Sequence, residues 1–302
     1  AMLANNILGR SFRQLLLPLD LDQSAPVPLL WLTRAVARLA GSDERALRLL
    51  PFVGGIMLLV VFARVAHRLL PLRPAALAVL IAAVSPLLIY YANELKPYGL
   101  DAMWTVVLLL LALRVRELPG ERDRWVALLA AGTLATFATM PAPFLLASLG
   151  LGLALEPEVR EAKGGWTWLA VCAAAWVTVF TAVYLALYRT IAEGAYMQRY
   201  WVPYFLSPTL PELEGKIEHI VTTGLQEWFL SEGGSWRLDA GYLLIPLILI
   251  GVFAFFRRYG RGIPGMLLLP FVLAVLASMV RRYPLAPRRM LVARPSMCLL
   301  LT

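Results

Sequence analysis

Within SPLLIYYANELKPYGLD, Glu94, Lys96, Tyr98 and Asp101 fall within eight residues. They bring together an ammonium that can pair with an anion, two carboxylates that can accept a proton or a cation, and a phenol that can do either job. Apolar runs at 74–92 and 100–113 flank them and leave almost no room for a soluble domain between. Ionisable groups packed at a membrane boundary point to a functional site. The alternative is a hairpin in which Lys96 and Tyr98 are interfacial anchors, and these residues alone leave both readings open.

Three further groups carry candidate chemistry. Arg281, Arg282, Arg288 and Arg289 fall within the nine residues of RRYPLAPRR, and a guanidinium presents a planar fork of donors matched to phosphate oxygens. Arg281 and Arg282, at the end of an apolar run, read as headgroup-snorkelling residues, whereas Arg288 reads as an anion ligand. In YMQRYWVPYF, Tyr196, Tyr200, Trp201 and Tyr204 flank Arg199, a combination suited to stacking on a sugar ring and pairing with phosphate, and equally to an aromatic belt at headgroup level. PLDLDQSAP sets Asp20, Asp22 and Gln23 on a proline-bounded loop, where carboxylates are usually just solvated. Cys172 and Cys298 lie in apolar runs without a second thiol or histidine at ligand spacing, so neither points to a metal or redox site.

The elements that must position these groups follow from composition. With 60% hydrophobic and 16% charged residues, the 302-residue chain is more apolar than a soluble core requires. The reading is an all-α, polytopic transmembrane helical bundle of about eight or nine spans, since the alternation of a membrane β-barrel is absent. Candidate spans cover 49–63, 74–92, 100–113, 125–140, 143–155, 166–188, 241–256, 263–280 and 290–302. The connectors RVAHRLLPLR, RVRELPGERDR, EPEVREAKGG and RRYGRG carry twelve Lys or Arg and fall on one side by alternation, which the positive-inside rule makes cytoplasmic. Residues 1–48, the ELKPY hairpin, 189–240 and RRYPLAPRR then face the extracytoplasmic side. The net charge of +9 is spread over short loops and is a topology signal, not a nucleic-acid footprint. Outside the bilayer, Pro28 and Gly41 bound an interfacial helix, Ser42 offers the cap of the first span, and Thr209 caps a second outer helix with an apolar face from Leu213 to Phe229. No repeat or linker divides the chain, so 1–302 reads as one membrane domain. Twenty-five Arg against three Lys, with heavy Ala and Leu usage, suggests a GC-rich bacterial source and hence a bacterial inner membrane.

DQSAPVPLLWLTRAVARLAGSDERALRLLPFVGG, AVSPLLIYYANELKPYGLD, PAPFLLASLGLGL, RYWVPYF and RRYPLAPRRMLVARP, in that order and spacing, resemble the GT-C type membrane glycosyltransferases, the group containing protein O-mannosyltransferases and the lipid A aminoarabinose transferase. The resemblance implies a sugar on a polyprenyl phosphate, transferred on the extracytoplasmic side to a lipid, glycan or protein acceptor. It implies that Glu94, Lys96 and Tyr98 border the donor phosphate or a divalent metal site, and that Arg288, following Tyr283–Pro284, holds the phosphate. On this reading Lys96 and Arg288 bind phosphate, Glu94 orients Lys96 or ligates a divalent cation, Gln23, Arg199 and Trp201 contact substrate, and Asp22 is a candidate catalytic base. Gln23, Ser24 and Ala25 stand where many members carry a histidine, which puts a His-dependent metal site in doubt. The family's acidic pair belongs immediately before Ala1, so the expectation is a chain cut at both ends, with its main base, one further span and about 20 or more residues upstream. A transporter or flippase of a lipid-linked sugar, or a non-catalytic scaffold, are the other readings; the first favours midplane charges and inverted repeats, neither of which is visible.

Overall fold

The computed structural model describes residues 2–189, 199–206 and 240–302, and among them every regular element is helical. Helices α1 (Met2–Gly9) and α2 (Val27–Ala40) precede the first span. α2 carries Pro28 in its first turn, where a missing N–H costs nothing, and stops at Gly41, whose φ of 98° only glycine adopts freely. The next helix, α3 (Glu44–Leu69), is capped by Asp43, whose carboxylate accepts from the Ala46 N–H at 2.8 Å; Ser42, the expected cap, stands one residue too early. Aspartate also brings negative charge to the helix N-terminus, which serine lacks. The basic residues Arg64, His67 and Arg68 prolong α3 beyond the apolar run, because they end a span electrostatically without breaking its backbone.

The run at 74–92 becomes two helices, α4 (Leu72–Ala83) and α5 (Pro86–Ala92), bent by 57°. Pro86 donates no N–H and its ring clashes with the preceding turn, so the helix restarts there. Then come α6 (Tyr98–Glu117), α7 (Arg122–Ala138), α8 (Ala142–Leu155), α9 (Pro157–Glu161) and α10 (Gly165–Val183), the last continuing through a π-helical turn, Tyr184–Tyr188. α11 (Ala240–Tyr259) and α12 (Gly262–Met279) lead to a 3-10 segment, Pro287–Ala293, and to α13 (Arg294–Leu300). The outer helix expected after Thr209, and Tyr196, lie outside the described residues.

The chain is a polytopic helical membrane protein, but its helices are less uniform than the apolar runs suggested. Among the described residues α3, α6, Gly165–Tyr188 and α12 are long and apolar enough to cross a membrane, and α4 with α5 makes a fifth if the bent pair is one span. α8, with 14 residues, is about 21 Å long at 1.5 Å per residue, shorter than a hydrocarbon core of about 30 Å. Hydropathy marks an apolar stretch; it does not set the length of helix around it.

α6 is the most buried of the four long helices and packs against α3, α7, α8 and the 3-10 segment. Phe62, Val65 and Leu69 of α3 and Val106, Leu109 and Leu113 of α6 belong to one buried cluster. Lipid tails are as apolar as leucine, so close packing holds such helices together, and small residues allow it. Gly152 illustrates this: a Cβ there falls 2.3 Å from the Met266 side chain, so α8 and α12 meet backbone to side chain.

The two ends of the bundle differ in charge. At one end Arg116 pairs with Glu156 at 2.7 Å and Glu158 at 3.3 Å, Arg124 with Glu121 at 2.7 Å, and Arg68 with Glu117. The Tyr259 hydroxyl donates to the Leu69 carbonyl, and Gly262 lies against the Glu156 carboxylate, so all four basic connectors gather at this end. The ELKPY hairpin, the N-terminal loop and RRYPLAPRR gather at the other.

Candidate active site

The site is built where three tight turns converge at that second end. In the hairpin, the Lys96 N–H donates to the Glu94 carbonyl at 2.7 Å and the Asp101 N–H to the Pro97 carbonyl at 2.9 Å, starting α6 at once. Gly99 makes the turn fit: a Cβ there stands 2.7 Å from the Tyr91 carbonyl oxygen, so α6 leaves hard against the end of α5. The N-terminal loop is laced to α1 by Asn6, which accepts from the Asp20 N–H at 2.8 Å, and by Arg10, paired with Asp20 at 2.6 Å. Leu21 and Asp22 then take left-handed backbone (φ 60° and 51°), an uncommon state for two non-glycine residues in succession and a mark of strain at the cavity rim. After α12, the Leu285 N–H donates to the Tyr204 carbonyl at 2.9 Å and the Leu206 N–H to the Ser278 hydroxyl at 3.0 Å, stitching 199–206 to RRYPLAPRR.

These turns enclose a cavity of about 460 Å³ lined by Asp22, Gln23, Lys96, Tyr98, Trp201 and Arg288, six of the residues singled out from the sequence, together with Ser24, Asp101, Met140, Tyr200, Tyr283 and Arg289. Lys96 Nζ donates to Gln23 Oε1 at 3.1 Å. Burial, and then the charge of Arg288, hold the Lys96 ammonium below the ordinary lysine pKa, with Glu94 acting weakly the other way. Arg288 donates to the Tyr200 hydroxyl at 3.0 Å, and its guanidinium lies 4.8 Å from the Trp201 ring centroid. Arg289 lies 4.6 Å from the same ring and 5.5 Å from that of Tyr283. Its buried Nε has no hydrogen-bond partner.

Among the described residues none of Lys96, Arg288 and Arg289 forms an ion pair, in contrast to the arginines at the other end. Two carboxylates line the cavity. Asp22 is exposed at the rim; Asp101 is buried and accepts from Thr139 Oγ1 at 2.5 Å. Three cations around one cavity, two of them stacked on an indole, repel one another until an anion enters, and a phosphate is the anion whose oxygens match guanidinium forks.

Two expected residues stand apart. Glu94 and Arg199 do not line the cavity; Glu94 acts on Lys96 only through its charge, and the Lys96 hydrogen bond goes to Gln23. The described residues contain no group of three His, Cys, Asp or Glu able to hold a metal. The sequence gives Arg289 no role of its own. The signal for Arg289 was adjacency to Arg288: in a 3-10 helix neighbours point about 120° apart, so both can reach one ring.

A helical membrane bundle with a cationic, aromatic-lined cavity at one end is the architecture of a GT-C type glycosyltransferase. The family described as dolichyl-phosphate-mannose-protein mannosyltransferase matches residues 24–189, more than half of the chain, and the protein belongs to it. Its fold is similar to the crystal structures of ArnT from Cupriavidus metallidurans, in the apo state (18% identity, TM-score 0.59) and bound to undecaprenyl phosphate (17% identity, TM-score 0.60). Each alignment covers 99% of this chain, and 53% and 54% of those chains respectively, so the chain spans about half their length. No curated protein gives a significant match.

Proposed function

We propose that the protein is a glycosyltransferase that moves a sugar from a polyprenyl-phosphate donor to an acceptor on the extracytoplasmic face of a bacterial inner membrane. The observation that carries this is the convergence of Lys96, Arg288 and Arg289, in no ion pair among the described residues, around one cavity. Family membership and the undecaprenyl phosphate bound by the ArnT neighbour support it. Attack of an acceptor hydroxyl or amine on the anomeric carbon breaks the bond from that carbon to the phosphate oxygen, and polyprenyl phosphate leaves with added negative charge. Lys96, Arg288 and Arg289 are placed to stabilise that charge, held in advance by Gln23, Tyr200 and the Trp201 ring. The acceptor proton must go to a base. Asp22, at the exposed rim, is the candidate among the described residues. Asp101 is buried and occupied by Thr139, which suits positioning of the site better than proton transfer from an acceptor.

The test is release of labelled polyprenyl phosphate by the full-length protein reconstituted with a polyprenyl-phosphate-linked sugar and candidate acceptors. Acceptor-dependent release is expected. Movement of intact donor across the vesicle membrane without cleavage would replace this reading with a transporter.

A further inference from the structure

Behind the donor cavity lies a second one, of about 470 Å³, whose walls come from the ends of α7, α8, α10 and α12. That volume falls in the range of small-molecule sites, about 300–1,000 Å³. Its surface is mostly aromatic and aliphatic, with Phe144, Phe180, Tyr184, Tyr188 and Phe205 along the wall. The wall includes the π-helical turn Tyr184–Tyr188, a widened turn of the kind that concentrates at functional sites. Arg281 and Arg282 also line it, both exposed; among the described residues neither forms an ion pair and no carboxylate lines the cavity. Arg281 holds a φ of 56° where helices usually end on glycine, its N–H donating to the Ser278 carbonyl at 2.9 Å while that of Arg282 reaches Ala277 at 2.8 Å. Glycine closes a helix with less strain, so capping does not explain an arginine there. Snorkelling does not explain it either: arginines that snorkel meet any surrounding headgroup, whereas these two border a walled apolar cavity.

We infer that this cavity binds an anionic phospholipid, with an acyl chain along the aromatic wall and the phosphate on Arg281 and Arg282. It adjoins the donor cavity, with Ser24, Met140, Trp201, Tyr283 and Arg289 in both walls, but Arg281 and Arg282 line it alone, and Lys96 and Arg288 line only the donor cavity. The inference does not depend on sugar transfer. Two positive charges without internal partners favour a net-negative headgroup over a zwitterionic one, whose choline repels them.

The probe is phosphatidylglycerol against phosphatidylcholine of the same chains, added to the detergent-purified full-length protein and read by native mass spectrometry. Phosphatidylglycerol should be retained at roughly tenfold lower concentration, a difference of about 1.4 kcal/mol. Arg281→Ala/Arg282→Ala should equalise the two lipids, and the milder Arg282→Gln should narrow the gap if the double variant does not fold. Lys96→Ala should keep the preference, which separates this site from the donor site. Excess glycerol phosphate should not displace the lipid, because the chain supplies much of the binding. A preference that survives the arginine variants, vanishes with Lys96→Ala, or yields to glycerol phosphate overturns the inference.

Discussion

Lys96 is the residue whose environment says most about the chemistry. It is held beside another cation, tied to a neutral amide, and partly withdrawn from water. Removing one charge-assisted contact to a departing phosphate in such a cavity should lose about 2–4 kcal/mol of transition-state stabilisation, or roughly 30-fold to 1,000-fold in rate. Lys96→Ala, Arg288→Ala and Arg289→Ala should each show it in the full-length protein, while Arg122→Ala, at the opposite end, should not; steady-state transfer kinetics at limiting and saturating donor is the measurement. The pH dependence has a definite sign. Burial first, and Arg288 second, make Lys96 release its proton at lower pH than an ordinary lysine. Donor capture is therefore complete below that pKa and fails as pH rises through it. The basic limb of kcat/KM for donor should lie below the range of an ordinary lysine, and Lys96→Arg should move it upward, since guanidinium does not titrate there.

At the scale of elements, the ends of α6, α8 and α12 are locked by one carboxylate. Glu156 is buried, pairs with Arg116 of α6 at 2.7 Å, and packs against Gly262 at the start of α12, so it fixes the helix whose far end carries RRYPLAPRR. Breaking a buried pair by removing the cation leaves an uncompensated charge and costs about 3–5 kcal/mol. Arg116→Ala should lower the apparent melting temperature in detergent accordingly. Burial already raises the Glu156 pKa, with Arg116 opposing. A raised carboxylate favours folding when protonated, so the stability it confers is present at low pH and is lost as pH rises through the folded pKa. Without Arg116 that pKa climbs further. The variant should recover part of its stability as pH falls from 7 towards 5, and differential scanning fluorimetry across that window checks it.

For the whole molecule, the exposed claim is orientation. All four basic connectors gather at the end with the ion-pair network, and the proposed donor cavity opens at the other, so the positive-inside rule predicts an extracytoplasmic cavity. Cys172 and Cys298 are both buried, which keeps the labelling background low. In intact cells a membrane-impermeant thiol reagent should modify Glu44→Cys and spare Arg122→Cys. The reverse pattern would invert the molecule and move the proposed transfer to the cytoplasmic face.

The helical membrane class was legible in the sequence because the bilayer leaves few solutions: a long apolar run must satisfy its own backbone, so it is a helix. Local signals were legible because they act at short range, as with Pro28 and Gly41, although the choice between Ser42 and Asp43 turned on one residue of register. Lys96, Tyr98, Trp201 and Arg288 stood out as chemistry without a visible geometry. Only the tertiary structure decided that Lys96 meets Gln23, 73 positions away, that Glu94 and Arg199 stay outside the cavity, and that Arg288 and Arg289 share one indole. It also gave Asp101 its place, through a hydrogen bond from Thr139, just past the end of α7. Such contacts depend on how helices cross and where turns aim side chains, and hydropathy, which averages over a face, carries no information about either.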